Sequence, residues 1–569
     1  MSGVLPYWLQ HYRRQWLAGD ISAGVLVALL LVPQGLAYAL VAGLPPQTGL
    51  YASLLPLPLY ALLGRSHALS VGPMAVTSLL VAATLGKLGL ATPAEYLLAA
   101  IWLALLSGAM LLLFGLFRLG FLADVLSEPV LAGFTASSAL LIVLSQLAPL
   151  AGFHGGGASL PEIVAALWRH GGEVSSRALQ IGVPALLLLW WARRGLPRQL
   201  HLRGPFALLL EILTRGMPML VVLGSMVAVG VLDWHGQLPQ VGRIPAGLPL
   251  LQWPALPAGG LQALVLPAFF IALINYVQSL SVAQLLAIPR RETVDPDREL
   301  LSLGVCNIGA ALCGGFPVTG GLTRSVVNAE AGANTQLASL LSALLIALVL
   351  LLGSGSLAAL PLTALAATII AAVAPQVRLA PLWHAWRAER SDAVAFAVTF
   401  LLVLWLGVDS GIVAGVVISL AAWLMKSSRP HMAELGLLPG SSHFRNVLRH
   451  PCLTLPGVLI LRIDESLYFG NARHVRDALL ARLAAAGQVH TLLLVMSAVN
   501  RVDVSGLAML ERLDDTLAER GVRLQLAEIK GPVWDVFGKA GLAGRFAGRV
   551  HLSTFAAWQA LQPAPDFHI

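Results

Sequence analysis

The sequence predicts a polytopic α-helical membrane protein of fourteen transmembrane segments, followed by a C-terminal α/β domain in the cytoplasm. Three observations predict it. Of 569 residues, 57% are hydrophobic and only 11% charged, against roughly 25% charged in an average soluble domain. Fourteen apolar runs follow one another as far as residue 425. After Arg429 the pattern changes to short apolar runs alternating with amphipathic helical stretches, the mark of a helix-backed sheet.

Residues 1–20, MSGVLPYWLQHYRRQWLAGD, are amphipathic and basic and lead straight into the first run, so they are expected as a cytoplasmic or interfacial N-terminal helix rather than a cleaved leader. The runs lie near 21–42, 48–63, 73–86, 95–117, 128–150, 178–192, 217–232, 261–288, 300–314, 322–330, 336–353, 357–374, 392–406 and 408–425. With the N-terminus inside, one set of alternate connections collects cations such as Arg193, Arg194, Arg290, Arg291, Arg298, Arg387 and Arg390, while the other holds only Lys87, Arg169, Arg177 and Arg243. This asymmetry places both termini in the cytoplasm. It also accounts for the net charge of +8 without nucleic acid as a partner. The stretch 204–215, apolar but carrying Glu211 and Arg215, reads as an interfacial helix. Cys306, Cys313 and Cys452 offer neither a disulfide framework nor a metal cluster.

The run from Ser302 to Asn328 is broken in its middle by glycines and Pro317, then resumes with Arg324. A break at membrane depth is tolerated only where protein or a watery cavity surrounds it. The first amides of a restarted helix lack carbonyl partners and carry the positive end of its dipole, a seat for an anion. Two readings of Arg324 stay open: a charge at a binding site, or a side chain that reaches water or pairs within the bundle.

The short runs 73–86 and 322–330 correspond to one another. Gln34 precedes Pro73 by 39 residues, and Gln278 precedes Pro317 by the same 39. The two pairs fall on runs 1 and 3 and runs 8 and 10, an offset of seven, so the halves have opposite orientation, as in an inverted repeat. Half-helices starting after Pro73 and Pro317 would then face each other near the midplane. Met74, Val76 and Thr77 would line the site from one side, and Val318, Thr319, Gly320 and Arg324 from the other. Gln34, Tyr38 and Gln278 add uncharged polar groups, either ligands or interhelical hydrogen-bonding groups.

The stretches VPQGLAYALVAGLPPQTGLYASLLPLPLYALLGRSHALSVGPMAVTS, FPVTGGLTRSVVN and NRVDVSGLAML together resemble the SulP family, the sulfate permease group. That resemblance covers nearly the whole chain. It implies a core domain (runs 1 to 4 and 8 to 11) and a gate domain (runs 5 to 7 and 12 to 14) within residues 21–429. A linker at 430–455 and a cytoplasmic STAS domain at 456–563 would follow. It further implies elevator-type alternating access, a homodimer in the cell membrane, and an anion such as sulfate, bicarbonate or a dicarboxylate as substrate. By similarity, Gln34, Tyr38, Met74, Thr323 and Arg324 match pocket positions, and Ser505 matches a serine that is phosphorylated in related anti-sigma-factor antagonists. For Ser505 a helix N-cap is the competing expectation. Many relatives carry glutamate where this chain has Gln278, and an amide cannot titrate. Coupling to protons through that position is therefore not expected, and pH dependence should be weak unless another acid substitutes.

No enzyme and no cofactor is expected, and the coupling ion, sodium or proton, stays open. The alternatives are an anion channel or uniporter, a nucleobase-type permease of the same architecture, and an anion sensor that signals to a cytoplasmic partner through the tail.

Overall fold

A computed structural model describes residues 6–153, 155–194, 216–234, 236–257 and 259–562. The expected interfacial helix at 204–215 lies outside the described residues. The chain divides into two compact units, the first ending at Ser419 and the second starting at Leu420.

Thirteen of the fourteen runs lie in the first unit, and all fourteen lie mainly on helix. Among the described residues of the whole chain, seven helices are long and apolar enough to cross a membrane, including Gln262–Ala287 and Val408–Ser428, and others such as Ala75–Gly86 are shorter. The run at 48–63 is two helices, Gln47–Leu54 and Pro56–Leu63; Pro56 has no amide to donate, so the helical bond back to Ala52 is missing there. The run at 300–314 belongs to the longer helix Pro296–Leu312, whose N-cap Asp295 accepts from the amides of Asp297 and Arg298. Its polar first turn hid that start.

The N-terminal expectation needs correction. Residues 17–20 are the first turn of the long helix Leu17–Val41, not part of a separate segment. Asp20 is fully buried because its carboxylate accepts from the amides of Asn334 and Thr335 and from Thr335 Oγ1. Trp8 also packs inward, donating Nε1 to the carbonyl of Ala61 at 2.7 Å.

Helices Pro93–Leu116 and Pro296–Leu312 meet along their length. A Cβ on Gly108 would stand 2.8 Å from the carbonyl of Gly304, and one on Gly304 would stand 2.9 Å from that of Gly108. Small residues let backbones approach this closely where lipid supplies no hydrophobic drive between helices.

The second unit holds a six-stranded sheet in the order β4-β3-β5-β6-β7-β8. Its strands are β3 (Met432–Leu437), β4 (Phe444–Asn446), β5 (Val458–Ile463), β6 (Thr491–Val495), β7 (Arg523–Ala527) and β8 (Val550–His551). Strands β5 to β8 run parallel, whereas β3 is antiparallel to both β4 and β5. The stretch 430–455, expected as a linker, therefore supplies two strands. β3 carries Glu434 and Gly436 among its apolar residues, and β4 is only three residues long, which made the stretch read as a connection. Alternation puts Leu459, Leu461, Leu492 and Leu494 in one core with helices Ala472–Ala485 and Val504–Glu519. Ile460, Leu493 and Val495 face a second core with Trp558 of helix Thr554–Leu561.

Among the described residues of this unit the most enclosed charge is Asp514, 7% exposed at its side chain, which accepts from Arg549 Nη1 at 2.6 Å and Arg545 Nε at 2.7 Å. Burial pushes its carboxyl up, but the two guanidiniums outweigh burial and hold it below the usual carboxylate range. A depressed carboxyl contributes stability that is present above its unfolded-state value and lost as pH falls through the folded one. Asp514→Asn should therefore destabilise this unit by about 3 kcal/mol near neutral pH and flatten its loss of stability in acid. Pulse proteolysis of the full chain in urea, read on fragments from residues 430–562, measures both effects.

Candidate functional site

Two very short strands, β1 (Val71–Gly72) and β2 (Thr319–Gly320), pair antiparallel where the two broken runs meet, Val71 opposite Gly320 and Gly72 opposite Thr319. Each lies just ahead of a half-helix, Ala75–Gly86 after β1 and Leu322–Glu330 after β2. Neither half-helix is capped by a side chain; their N-cap residues are Met74 and Gly321. Both ends keep amides that are free to donate outward. The long helices Leu17–Val41 and Gln262–Ala287 pack against both half-helices.

The second half-helix does not begin directly after Pro317. Val318 to Gly320 are extended and held by their neighbours. Val318 donates its amide to Asn307 Oδ1 at 2.9 Å and accepts from Asn307 Nδ2 at 3.0 Å. Thr319 Oγ1 donates to the carbonyl of Asn275 at 2.7 Å, and Thr77 Oγ1 donates to Asn275 Oδ1 at 2.7 Å. The hydroxyls of Thr77 and Thr319 are thus both engaged with Asn275 in the frame. The frame continues with Ser325 Oγ accepting from the amide of Ser70, and Asn328 Nδ2 donating to the carbonyl of Ala68.

Arg324 lies one turn into its half-helix and is 2% exposed. Its Nη1 donates to the carbonyl of Pro73 at 2.5 Å, crossing from one half of the repeat to the other. Its Nε and Nη2 are buried and have no partner. The guanidinium lies against Gly321 and Gly72, whose added Cβ atoms would stand 2.9 Å and 3.2 Å from Nη2. Tyr38 is buried within electrostatic reach of Arg324, and Gln34, also buried, is one turn earlier on the same helix face. Met74 and Thr323 are half-buried at the two half-helix starts, Val76 is buried, and Gln278 is half-buried with Oε1 unpartnered. Gly320 turns the face that would carry a Cβ toward Ser279.

Sequence reasoning missed Asn275 and Asn307, which lie on the runs at 261–288 and 300–314 and read there as ordinary polar residues of a bundle. Among the described residues, no group of three or more His, Cys, Asp or Glu is placed to hold a metal ion.

In the second unit Ser505 is exposed and is not the N-cap. Asp503 takes that position, accepting from the amide of Gly506 at 2.8 Å, so the serine hydroxyl is not needed. The other oxygen of Asp503 accepts from the amide of Phe469 at 2.9 Å.

Two oppositely placed broken helices in a helical membrane unit, followed by a helix-backed sheet, define the class of anion-transporter folds that carry a STAS domain. Residues 17–399 match the profile described as the Sulfate permease family, and residues 452–556 match the STAS domain. The chain belongs to the sulfate permease family. A probable sulfate transporter of Mycobacterium tuberculosis is 36% identical over 530 residues, 93% of this chain and 92% of that one. Sulfate transporter 4.1, chloroplastic, of Arabidopsis thaliana is 32% identical over 96% of this chain and 81% of that one. The structure of the murine Solute Carrier 26 family member A9 anion transporter in its inward-facing state superposes with a TM-score of 0.88 at 25% identity, covering 98% of this chain and 94% of that one. The transmembrane domain of a cyanobacterial bicarbonate transporter, BicA, shares the fold with a TM-score of 0.60 at 20% identity, covering 72% of this chain and 98% of that one.

Asn307→Ala would leave the amide of Val318 unpaired in a buried place and its carbonyl with the longer bond from Asn275 Nδ2 at 3.4 Å, at a cost of about 1–3 kcal/mol. Thermal unfolding of the detergent-purified protein should fall accordingly, with Asn307→Asp, which keeps the acceptor, falling less.

Proposed function

We propose that the chain is a secondary-active transporter of small anions, with sulfate the first candidate, and that the anion is held between the starts of the half-helices Ala75–Gly86 and Leu322–Glu330. The observation that carries this reading is Arg324: a buried guanidinium with Nε and Nη2 unpartnered, beside two helix N-termini without side-chain caps. Buried donors are rarely left unmatched, and an oxyanion satisfies a planar guanidinium fork and free helix amides together. The names borne by the relatives agree with an anion as cargo.

In this reading Gln34, Tyr38 and Gln278 supply neutral hydrogen-bonding groups, and Met74, Val76 and Thr323 shape the pocket. Val318, Thr319, Gly320 and Thr77 act through the backbone frame behind it. Runs 1 to 4 and 8 to 11 form a core that slides against a gate of runs 5 to 7 and 12 to 14, carrying the pocket across the membrane. Both termini and the STAS domain face the cytoplasm, and the protein works in the cell membrane as a homodimer. Phosphorylation at Ser505 would add negative charge beside Asp503 and loosen the Phe469 loop that Asp503 holds; phosphopeptide mass spectrometry on protein from cells tests whether it occurs.

Labelled sulfate uptake into proteoliposomes tests the main reading. Arg324→Ala should abolish saturable uptake, and Arg324→Lys should restore part of it, because the charge returns without the planar fork. Normal uptake by Arg324→Ala would overturn the pocket. Gly321→Ala, whose methyl displaces the guanidinium, should raise the half-saturating sulfate concentration several-fold.

A further inference from the structure

Behind β2 lies an acid that the pocket does not use. Glu299, 2% exposed, sits in the first turn of Pro296–Leu312. Tyr60 Oη donates to its two oxygens at 3.2 and 3.0 Å, and Ser279 Oγ donates to Oε1 at 3.1 Å. Among the described residues no Lys, Arg or His lies within ion-pair distance of it. Among those residues its stabilising partners are two neutral hydroxyls and a helix start. A carboxylate enclosed in this way is the kind of group whose charge state responds to its surroundings.

The surroundings can be named element by element. Helix Pro56–Leu63 presents Tyr60, and Gln47–Leu54 carries Tyr51. Gln262–Ala287 presents Ser279 and Tyr276, the latter donating its hydroxyl to the carbonyl of Gly120. The short helix Gly120–Val125 carries Asp124. The helix of Glu299 itself adds Cys306 and, at its exposed start, Asp295, Asp297 and Arg298. The end of Pro93–Leu116 packed there is apolar, as is Leu337–Leu348 against Pro56–Leu63. The enclosed neighbours are neutral, and the charged ones sit at the surface end.

Ser279 connects this acid to the pocket. The hydroxyl that donates to Glu299 lies 2.6 Å from where a Cβ on Gly320 would stand, so it rests on the extended segment ahead of Arg324. We infer that Glu299 is a positioning residue whose protonation is linked to anion binding at the pocket, one proton from solvent forming an O–H bond on its carboxylate as the anion enters. The inference rests on the pocket proposed above. Its physical basis is like charge: an ionised Glu299 and an incoming anion repel through an interior of low dielectric, so each proton bound favours the anion and each anion bound favours the proton. Glu299 thereby supplies the titrating acid that Gln278 cannot.

Proton uptake by the purified full chain in weakly buffered detergent solution, on addition of sulfate, tests this directly, alongside sulfate flux in proteoliposomes from the same preparation. The wild type should take up protons as sulfate binds, and its half-saturating sulfate concentration should rise several-fold from acid to alkaline pH. In Glu299→Gln, which keeps the shape and a hydrogen-bonding oxygen, sulfate-induced proton uptake should vanish and the pH profile should go flat. Ser279→Ala keeps the acid but removes one donor to its ionised form, so its profile should move toward alkaline pH; an unmoved profile overturns the inference even where Glu299→Gln does not fold. Sulfate flux without proton uptake in the wild type, or an unchanged profile in Glu299→Gln, also overturns it while leaving the transporter reading intact. A wild type with neither flux nor proton uptake overturns both.

Discussion

Everything around the pocket depends on one constraint: at membrane depth a backbone group that leaves a helix must find a partner in the protein. The chain leaves helix twice, ahead of Ala75–Gly86 and ahead of Leu322–Glu330, and each excursion partners the other through β1 and β2. Asn307 closes the amide of Val318 and, with Asn275, its carbonyl, and Asn275 gathers Thr77 and Thr319. Only with that backbone fixed can the two half-helix starts sit close together, and only then does Arg324 reach Pro73 across the repeat.

The frame also sorts polar groups by purpose. Side chains fully engaged with neighbours, such as Asp20 and Asn307, hold elements in register. Arg324 differs because part of its fork is unmatched while the rest is fastened, a combination that orients the free nitrogens instead of letting the side chain turn away. Rigid placement of this kind lowers the conformational cost of binding.

Much of this was legible in the sequence because its signals are local. Pro73 and Pro317 mark the breaks, equal spacing from Gln34 and Gln278 relates the halves, and a lone arginine in an apolar run stands out. The bracing was not legible. Asn275, Asn307, Ser279 and Glu299 lie on runs that read as ordinary membrane helix, and their purpose exists only through partners brought near by folding, as with Tyr60 and Glu299, 239 positions apart. β3 escaped notice for a related reason, since a strand interrupted by Glu434 and Gly436 gains its identity from the strand beside it, here β5. The cap of Val504–Glu519 falls to a carboxylate two residues before the serine expected there, Asp503, which accepts from the amide of Gly506.

The pairing of β1 with β2 has a consequence for how the protein is made. Arg324 and Pro73 are 251 positions apart, so at about 5–20 residues per second the ribosome needs on the order of tens of seconds to supply the second partner after the first has entered the membrane. Through that interval the backbone around Val71 and Gly72 has no β2 to bond. Until the second half arrives, the polar backbone groups there need water or another protein partner, which makes the pairing of the halves a late step in the protein's assembly.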